Sequence, residues 1–455
     1  MTLIKSISGI RGTIGGKTGE NLTPVDIVAC TAGFGRWLQK RNGQKIVVGR
    51  DGRISGEMVS QLSVQTLLGM GLDVIDLGLS TTPTVEMMVT ELGASAGIIF
   101  TASHNPGNWN ALKFLNEKGE FISATDGQEI IQYIEEGTIA YAHVEQLGTY
   151  STFARGIELH IDKILRYRHV RPDIIKAANL HVVVDCINST GAIAIPPLLD
   201  ALGVSYELIH ADHFGHFAHN PEPLPEHLVD LSQKVISSGA SMGISVDPDV
   251  DRLAFVCEDG SMFGEEYTLV AIADYMLSRE PGNAVSNLSS TRALADVVYR
   301  YGGQYKAAAV GEVNVVREMK HIQAVIGGEG NGGIIIPDLH YGRDAMAGLA
   351  IFLTLFAEKK LTMTALKKTF PVYEMIKDKL VLTGNMELES IYAGIKTAFH
   401  TEKIDTTDGI KVDFQEGWVH LRPSNTEPIV RIYAEAANIA EAQKLIQKVK
   451  KIVNA

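Results

Sequence analysis

The sequence predicts an α/β protein of several domains that ends in a small α+β domain. Two observations carry this expectation. A short apolar run stops abruptly at a Gly/Asp/Ser/Asn-rich loop five times: KIVVGRDGRISG (45–56), AGIIFTASHNP (96–106), LHVVVDCINSTGA (180–192), MGISVDPDVDR (242–252) and AVIGGEGNGG (324–333). Stretches with helical spacing lie between them, as at 57–71 and 265–279. Apolar strands alternating with helices read as α/β units whose largely parallel sheets are buried on both faces. Ligands bind beyond the carboxyl ends of strands in such sheets, which is where all five loops fall.

The last part of the chain reads differently. Residues 409–436 alternate strands and turns, with a Gln-Glu-Gly turn at 415–417. Asn438 then caps a final helix, with Glu441 as its capping-box partner. Ile439, Ala442, Leu445, Ile446, Val449 and Val453 are expected to form the buried stripe of that helix. Boundaries fall near 149–152, 257–260 and 367–371. They give four domains: 1–151, 152–256, 257–368 and 369–455.

Bulk properties narrow the function. The chain has 455 residues, 45% hydrophobic and 21% charged, enough for several cores and too apolar for disorder. Its formal charge of −12 disfavours nucleic-acid binding. Cys30, Cys186 and Cys257 are far apart, form no C-x-x-C pair and read as small core residues, which fits a reducing cytoplasm. The N-terminal stretch does not read as a signal peptide, because Lys5 and two serines break its apolar run, and no apolar run is long enough to span a membrane.

The loop SVDPDVDR places Asp247, Asp249 and Asp251 at alternating positions, on one side of an extended chain. Three carboxylates together need a cation, and oxygen-only ligands suit Mg²⁺ or Ca²⁺. Glu258 at position twelve completes most of an EF-hand pattern, but Arg252 stands where that loop needs Gly, and the flanks look like strands. Mg²⁺ usually completes its shell with water or phosphate oxygens, so the loop points to phosphate chemistry.

Ser103-His104 is not a G-x-S-x-G elbow. In extended chain the two side chains would point to opposite sides, which makes His104 a poor base for Ser103. A capped turn before Pro106 accounts for the tetrapeptide alone. A phosphorylated Ser103 fits better, since one phosphate oxygen would complete the aspartate site. Lys113 reaches the same place if the loop folds back. In RPSNTEP (422–428), Arg422, Ser424, Asn425 and Thr426 offer donors for an anion. In GGEGNGG (327–333), Glu329 and Asn331 offer hydrogen bonds to sugar hydroxyls.

Taken in order, TASHNP, DPDVDR, GEGNGG and RPSNTEP resemble the four signature loops of the α-D-phosphohexomutase family, and GIRG (9–12) and GRDGRISG (49–56) resemble its N-terminal motifs. The resemblance covers the whole chain. GEGNGG with GRDA looks most like the archaeal-type branch, which includes phosphoglucosamine mutases. Asn331 and Gly333 stand where bacterial members carry Ser and His, and Ala111 where many carry Gly. His340 or Arg343 are the candidates to replace that histidine.

The resemblance implies three similar α/β domains with mixed, largely parallel sheets and a C-terminal α+β domain, arranged around a central cleft. It implies one Mg²⁺ per chain on Asp247, Asp249, Asp251 and phosphorylated Ser103. Arg11, His104, Lys113 and Arg252 would contact the reacting group, with His104 and Lys113 as acid/base candidates. Glu329 and Asn331 would hold the sugar, and Arg422, Ser424, Asn425, Thr426 and Arg431 the other phosphate. The implied reaction interconverts hexose 6-phosphate and 1-phosphate, with hexose 1,6-bisphosphate as intermediate and activator. Glucosamine phosphate is the expected substrate, mannose or glucose phosphate the alternative, and a Mg²⁺-dependent phosphatase the rival class. A cytoplasmic monomer or homodimer is expected.

Overall fold

The structure is a computed structural model and describes residues 1–6, 9–381, 388–423 and 429–453. The chain groups into two compact units. One is Met1–Thr268 with Asn331–Lys367; the other is Leu269–Gly330 with Lys368–Ala455.

The first unit opens with a seven-stranded sheet. Its order is Ile4–Ser6, Gly9–Thr13, Trp109–Leu115, Ala96–Phe100, Lys45–Arg50, Asp73–Leu79 and Tyr150–Thr152. The strands from Ala96 to the far edge run parallel, and the other side is antiparallel. Successive residues face opposite ways along a strand, so both faces must be covered. Ile46, Val48, Ile98 and Phe100 pack with Phe34 and Leu67 from the helices Pro24–Gln39 and Gly56–Gly69. Val47 and Ile99 pack with Val85 and Met88 of the helix Thr82–Glu91. This burial explains why the strands read as continuous apolar runs. A second sheet holds Leu253–Val256, Met242–Val246, His181–Asp185 and Ser205–Ile209, all parallel except the first. The strands Gly333–Ile336 and His340–Arg343 form an antiparallel pair in the same unit. Cys30, Cys186 and Cys257 are buried and free.

The loop that carries Ser103, after the strand Ala96–Phe100, is held by a buried ion pair. Arg53 and Asp51 are buried, with Arg53 Nε 3.0 Å from Asp51 Oδ2. The rest of the guanidinium donates to carbonyls of the serine loop: Ser103 at 2.5 Å, Asn105 at 2.7 Å, Pro106 at 2.6 Å and Trp109 at 2.9 Å. Trp109 thus opens a strand and supplies one of the carbonyls that hold Arg53.

In the second unit the parallel strands Tyr305–Ala308, Asn283–Asn287 and Ala324–Glu329 lie side by side. The C-terminal sheet is antiparallel, in the order Glu374–Val381, Ile429–Ala436, Gly417–Pro423, Ile410–Asp413 and Lys403–Asp405. Its core includes Ile395, Val419, Ile432, Leu445 and Val449. The final helix spans Ile439–Val453, and Asn438 Oδ1 accepts from the Glu441 amide at 3.0 Å. Ala442, Leu445, Ile446 and Val449 are buried as expected, but Ile439 is 48% exposed. The stripe docks only from the second turn onward, so the expectation for Ile439 was wrong. The side chain of Val453 lies outside the described residues.

Two predictions follow from this packing. Arg53→Ala leaves Asp51 buried without its charge partner and takes a donor from four carbonyls. A loss of about 3–5 kcal/mol is expected in urea unfolding, and an unchanged midpoint would count against the brace. His420 is buried in the second unit, its Nε2 donating to the Asp408 carbonyl at 2.6 Å and its Nδ1 3.0 Å from the Ser289 hydroxyl. Burial above all lowers its pKa from 6.5 to about 4. The unfolded chain takes the proton first, so the contribution is complete above pH 6.5 and fades as pH falls toward 4. Full loss amounts to about 3 kcal/mol. Urea unfolding across that window should fall more steeply for the natural protein than for His420→Gln, and equal slopes would contradict the assignment.

Candidate functional site

The serine loop leaves the fully buried strand Ala96–Phe100. Thr101 donates its hydroxyl to Asp51 Oδ2 at 2.6 Å and accepts the Ser103 amide at 2.9 Å. Ser103 takes a left-handed backbone, φ 48°. A non-glycine residue is uncommon there, and such positions cluster at functional sites. The loop is therefore not extended, and the expected opposition of Ser103 and His104 does not hold. His104 Nδ1 lies 3.5 Å from Ser103 Oγ. The serine hydroxyl is closer to another partner, donating to Asp247 Oδ2 at 2.7 Å.

Asp247 follows the strand Met242–Val246, and Asp249 and Asp251 come through a turn in which Val250 has φ 59°. The carboxylates converge because the chain turns back on itself, not because an extended strand alternates. Asp247 Oδ1 accepts the amides of Asp251 at 3.0 Å and Arg252 at 3.1 Å, which closes the turn. All three aspartates are completely buried. Asp249 Oδ2 accepts from Thr82 Oγ1 at 2.7 Å and Lys113 Nζ at 3.0 Å. Asp251 Oδ2 accepts from Arg343 Nη2 at 2.6 Å. The flanking segments are strands, and Glu258 accepts from the Thr364 amide at 3.1 Å, so the EF-hand alternative is excluded.

The electrostatics follow from burial and neighbours. Burial, then Asp251 and Asp249, pushes the Asp247 carboxyl well above its usual range. Burial acts the same way on Asp249, but Lys113 and the hydrogen bonds of its partners outweigh it and hold that carboxyl down. Lys113 is destabilised by burial, yet Asp249 and Asp251 raise it, so it stays an ammonium. His104 is driven well below its usual value by burial and by Arg252, Arg343 and Lys113, which keeps the imidazole neutral. Burial lowers Arg11.

A cation fits the aspartates. Ligand oxygens of Asp247, Asp249 and Asp251 lie within 4.8 Å of one another. Asp249 Oδ1 and Asp251 Oδ1 are buried with no hydrogen-bond partner. Acceptors left bare in an interior are costly, and a hard ion would satisfy them. Beside them opens a cavity of about 140 Å³ whose lining includes Arg11, Ser103, His104, Lys113, Arg252 and Arg343. Four cationic side chains around a hydroxyl suit a dianionic phosphoryl group.

Reasoning from sequence missed several members of this site. Asp51, Arg53 and Thr82 carry no local signal of their roles, although GRDGRISG holds the first two. Arg343 lines the cavity, whereas His340 is turned to Asp344 and Glu86 at 3.2 Å each. Glu86 is pushed up to about 7, chiefly by burial. Burial acts against the His340 imidazolium, but Asp344 and Glu86 outweigh it and raise its pKa to about 10. A Cβ on Gly342 would collide with Glu86, so that position needs glycine.

The remaining candidates lie as follows. Glu329, in the second unit, is buried and accepts from Asn287 Nδ2 and the Gly311 amide, both at 3.0 Å. Asn331, in the first unit, accepts the Gly333 amide at 3.2 Å. Arg422 and Arg431 stand opposite each other on neighbouring C-terminal strands, with Arg422 Nε 3.3 Å from Asp408 Oδ2. Ser424, Asn425 and Thr426 lie outside the described residues. No helix among the described residues is long and apolar enough to cross a membrane.

Comparison with known proteins accounts for the arrangement. Models of phosphoglucomutase/phosphomannomutase match along the chain: alpha/beta/alpha domain I at residues 3–140, domain II at 158–260, domain III at 264–373 and the C-terminal domain at 373–452. The chain is 32% identical to a probable phosphoglucosamine mutase of Methanopyrus kandleri over 443 residues, covering 96% of this chain and 95% of that protein. It is also 32% identical to a phosphoglucomutase/phosphomannomutase of Thermococcus kodakarensis, covering 96% of each. Among solved structures it resembles a phosphoglucomutase/phosphomannomutase family protein of Burkholderia thailandensis, with TM-score 0.86, 26% identity and coverage of 100% and 98%. The chain thus belongs to the phosphoglucomutase/phosphomannomutase family, the α-D-phosphohexomutases, in its archaeal-type branch, and is a phosphosugar mutase, an isomerase.

Proposed function

We propose that the protein interconverts hexose 6-phosphate and hexose 1-phosphate, with glucosamine phosphate as its preferred substrate, using Ser103 as phosphoryl carrier. One observation carries this reading: the Ser103 hydroxyl lies 2.7 Å from Asp247 Oδ2, on the wall of a cavity that is also lined by Arg11, Lys113, Arg252 and Arg343. The preference for glucosamine phosphate is supported by the name of the Methanopyrus relative. The Thermococcus relative keeps glucose and mannose phosphates as the alternative.

A single Mg²⁺ on Asp247, Asp249 and Asp251 would supply Lewis-acid polarisation of the phosphoryl group. The protein's own groups do the rest. The four cations bind and orient the phosphate and offset its charge. In the forward half-reaction the bond from phosphorus to Ser103 Oγ breaks and one from phosphorus to a sugar hydroxyl oxygen forms. Neutral His104 has a lone pair open to the proton of that hydroxyl, and the burial and cations that oppose its imidazolium would make it give that proton up readily, while Lys113 stays charged against Asp249. The freed serine oxygen takes that proton from His104, whose Nδ1 lies 3.5 Å away, and returns to the hydrogen bond with Asp247. The resulting 1,6-bisphosphate then gives its other phosphate back to Ser103. Glu329 and Asn331 are proposed to hold the sugar in both orientations, and Arg422, Ser424, Asn425, Thr426 and Arg431 to hold the phosphate that is not reacting.

Ser103→Ala should lower kcat at least about 1,000-fold with the fold retained, measured as conversion of glucosamine 1-phosphate in the presence of the bisphosphate. Full activity would reject Ser103 as the carrier. Asp249→Ala and excess EDTA should each abolish turnover, and activity that survives both would reject the metal site. A comparison of kcat/KM for the 1-phosphates of glucosamine, glucose and mannose tests the sugar assignment. The highest value should belong to glucosamine, and a higher value for glucose or mannose would transfer the assignment to that sugar.

A further inference from the structure

We propose that Asp185, His210 and His219 form a second divalent-metal site of the zinc type, separate from the aspartate turn. The site would clasp the 210–220 loop to the end of the strand His181–Asp185. The sequence HADHFGHFAH (210–219) places a histidine at every third residue. Two of these close on one buried carboxylate. Asp185 Oδ1 is 3.1 Å from His210 Nδ1, and Oδ2 is 3.0 Å from His219 Nε2. Candidate ligand atoms from the three residues lie within 4.8 Å of one another. Asp185 Oδ1 also accepts the Ile187 amide at 2.9 Å, which fixes the carboxylate plane.

The far side of each ring decides the argument. His219 Nδ1 is 2.8 Å from the Asn220 carbonyl, and His210 Nε2 is 3.4 Å from Asp230 Oδ2. A carbonyl only accepts, so His219 Nδ1 carries a hydrogen, whereas His210 Nε2 meets Asp230 as a longer contact at the surface. In a neutral His219 the nitrogen facing Asp185 then presents a lone pair to a carboxylate at 3.0 Å. Lone pair against anion is repulsive unless a cation lies between. Two extra protons would put two imidazolium ions on one buried carboxylate. One divalent metal ion serves all three groups at once.

The geometry and ligand chemistry match that ion. Imidazole nitrogen and carboxylate oxygen bind zinc at about 2.0–2.2 Å, which sets tetrahedral ligand–ligand distances near 3.3 Å. Metal-binding histidines donate their other ring N–H to a carboxylate or a backbone carbonyl, as His219 does here, and His210 has a carboxylate near its own. The aspartate turn offers oxygen only and suits a harder ion, so the two sites would select different metals. His210 and His219 keep side-chain exposures of 19% and 15%, enough for an ion to enter and for water to take the fourth position.

The clasped loop bears on the reaction only indirectly. The Gly215 amide donates to the Asn188 carbonyl at 2.9 Å, and Phe217 lies 5.0 Å from the Arg53 guanidinium. Arg53 holds the serine loop. Metal in the clasp would steady that support, which makes the three ligands structural residues.

The test uses the full-length Asp249→Asn protein, in which the aspartate turn is disabled, stripped with chelator and titrated with Co²⁺. One Co²⁺ per chain should bind and give the visible absorption of an imidazole-ligated tetrahedral ion, and Zn²⁺ should raise Tm. Adding His219→Gln or His210→Gln should remove both effects. Absence of binding in Asp249→Asn, or a band that persists in both double variants, would overturn the proposal and leave a hydrogen-bonded His–Asp–His cluster. Should the histidine variants fail to fold, zinc-edge anomalous diffraction from Asp249→Asn crystals decides. A peak among Asp185, His210 and His219 supports the site, and a peak elsewhere or none refutes it.

Discussion

Three carboxylates with no exposure to water, gathered in the turn 247–251, set the main constraint on the first unit. Carboxylates removed from solvent at such separations would neutralise themselves or push the turn apart unless other groups hold them. Help arrives from distant parts of the sequence. Thr82 comes from the start of a helix, Lys113 from a strand of the first sheet, Arg343 from a hairpin and Ser103 from the serine loop. Each makes a bond that has a reason to exist only because the aspartates are there. The same bonds leave two carboxylate oxygens bare, and a hard cation would use them.

The serine loop solves the complementary problem. A loop that must expose a hydroxyl to a charged cavity needs its own backbone anchored elsewhere. Arg53 provides the anchor with a guanidinium that reaches Asp51 and four carbonyls together. Only a planar fork with several donors can do this, and lysine could not replace it. The brace lets Ser103 hold a left-handed backbone that points Oγ at Asp247. Charge in the turn and geometry in the loop are thus two halves of one device.

Much of this was legible in the sequence, and the parts that were not share a cause. The strands were readable because burial on both faces demands unbroken apolar runs, as Ile46, Val47 and Val48 illustrate. The aspartates were readable because three acids between apolar strands are hard to explain otherwise. Their convergence through a turn was not readable, since alternation suggests an extended chain equally well. The relation of Ser103 to His104 failed for the same reason: one positive φ reverses which side a side chain faces. Arg53 was hidden because the carbonyls it holds lie about fifty residues away, and nothing local marks the neighbouring Asp51–Arg53 pair as buried. The Asp185 cluster was hidden likewise, with His210 and His219 separated from it by two elements. Ile439 was misplaced because helical periodicity gives the face of a stripe but not the turn at which docking begins.

In the proposed reaction phosphate passes through Ser103. A single-turnover experiment with hexose 1,6-bisphosphate labelled in its phosphates, read by mass spectrometry of the Ser103 peptide, tests it most directly. Label should appear on Ser103, disappear on addition of unlabelled hexose 1-phosphate and reappear in sugar phosphate. Label that never reaches Ser103, or that leaves only as free phosphate, would contradict it.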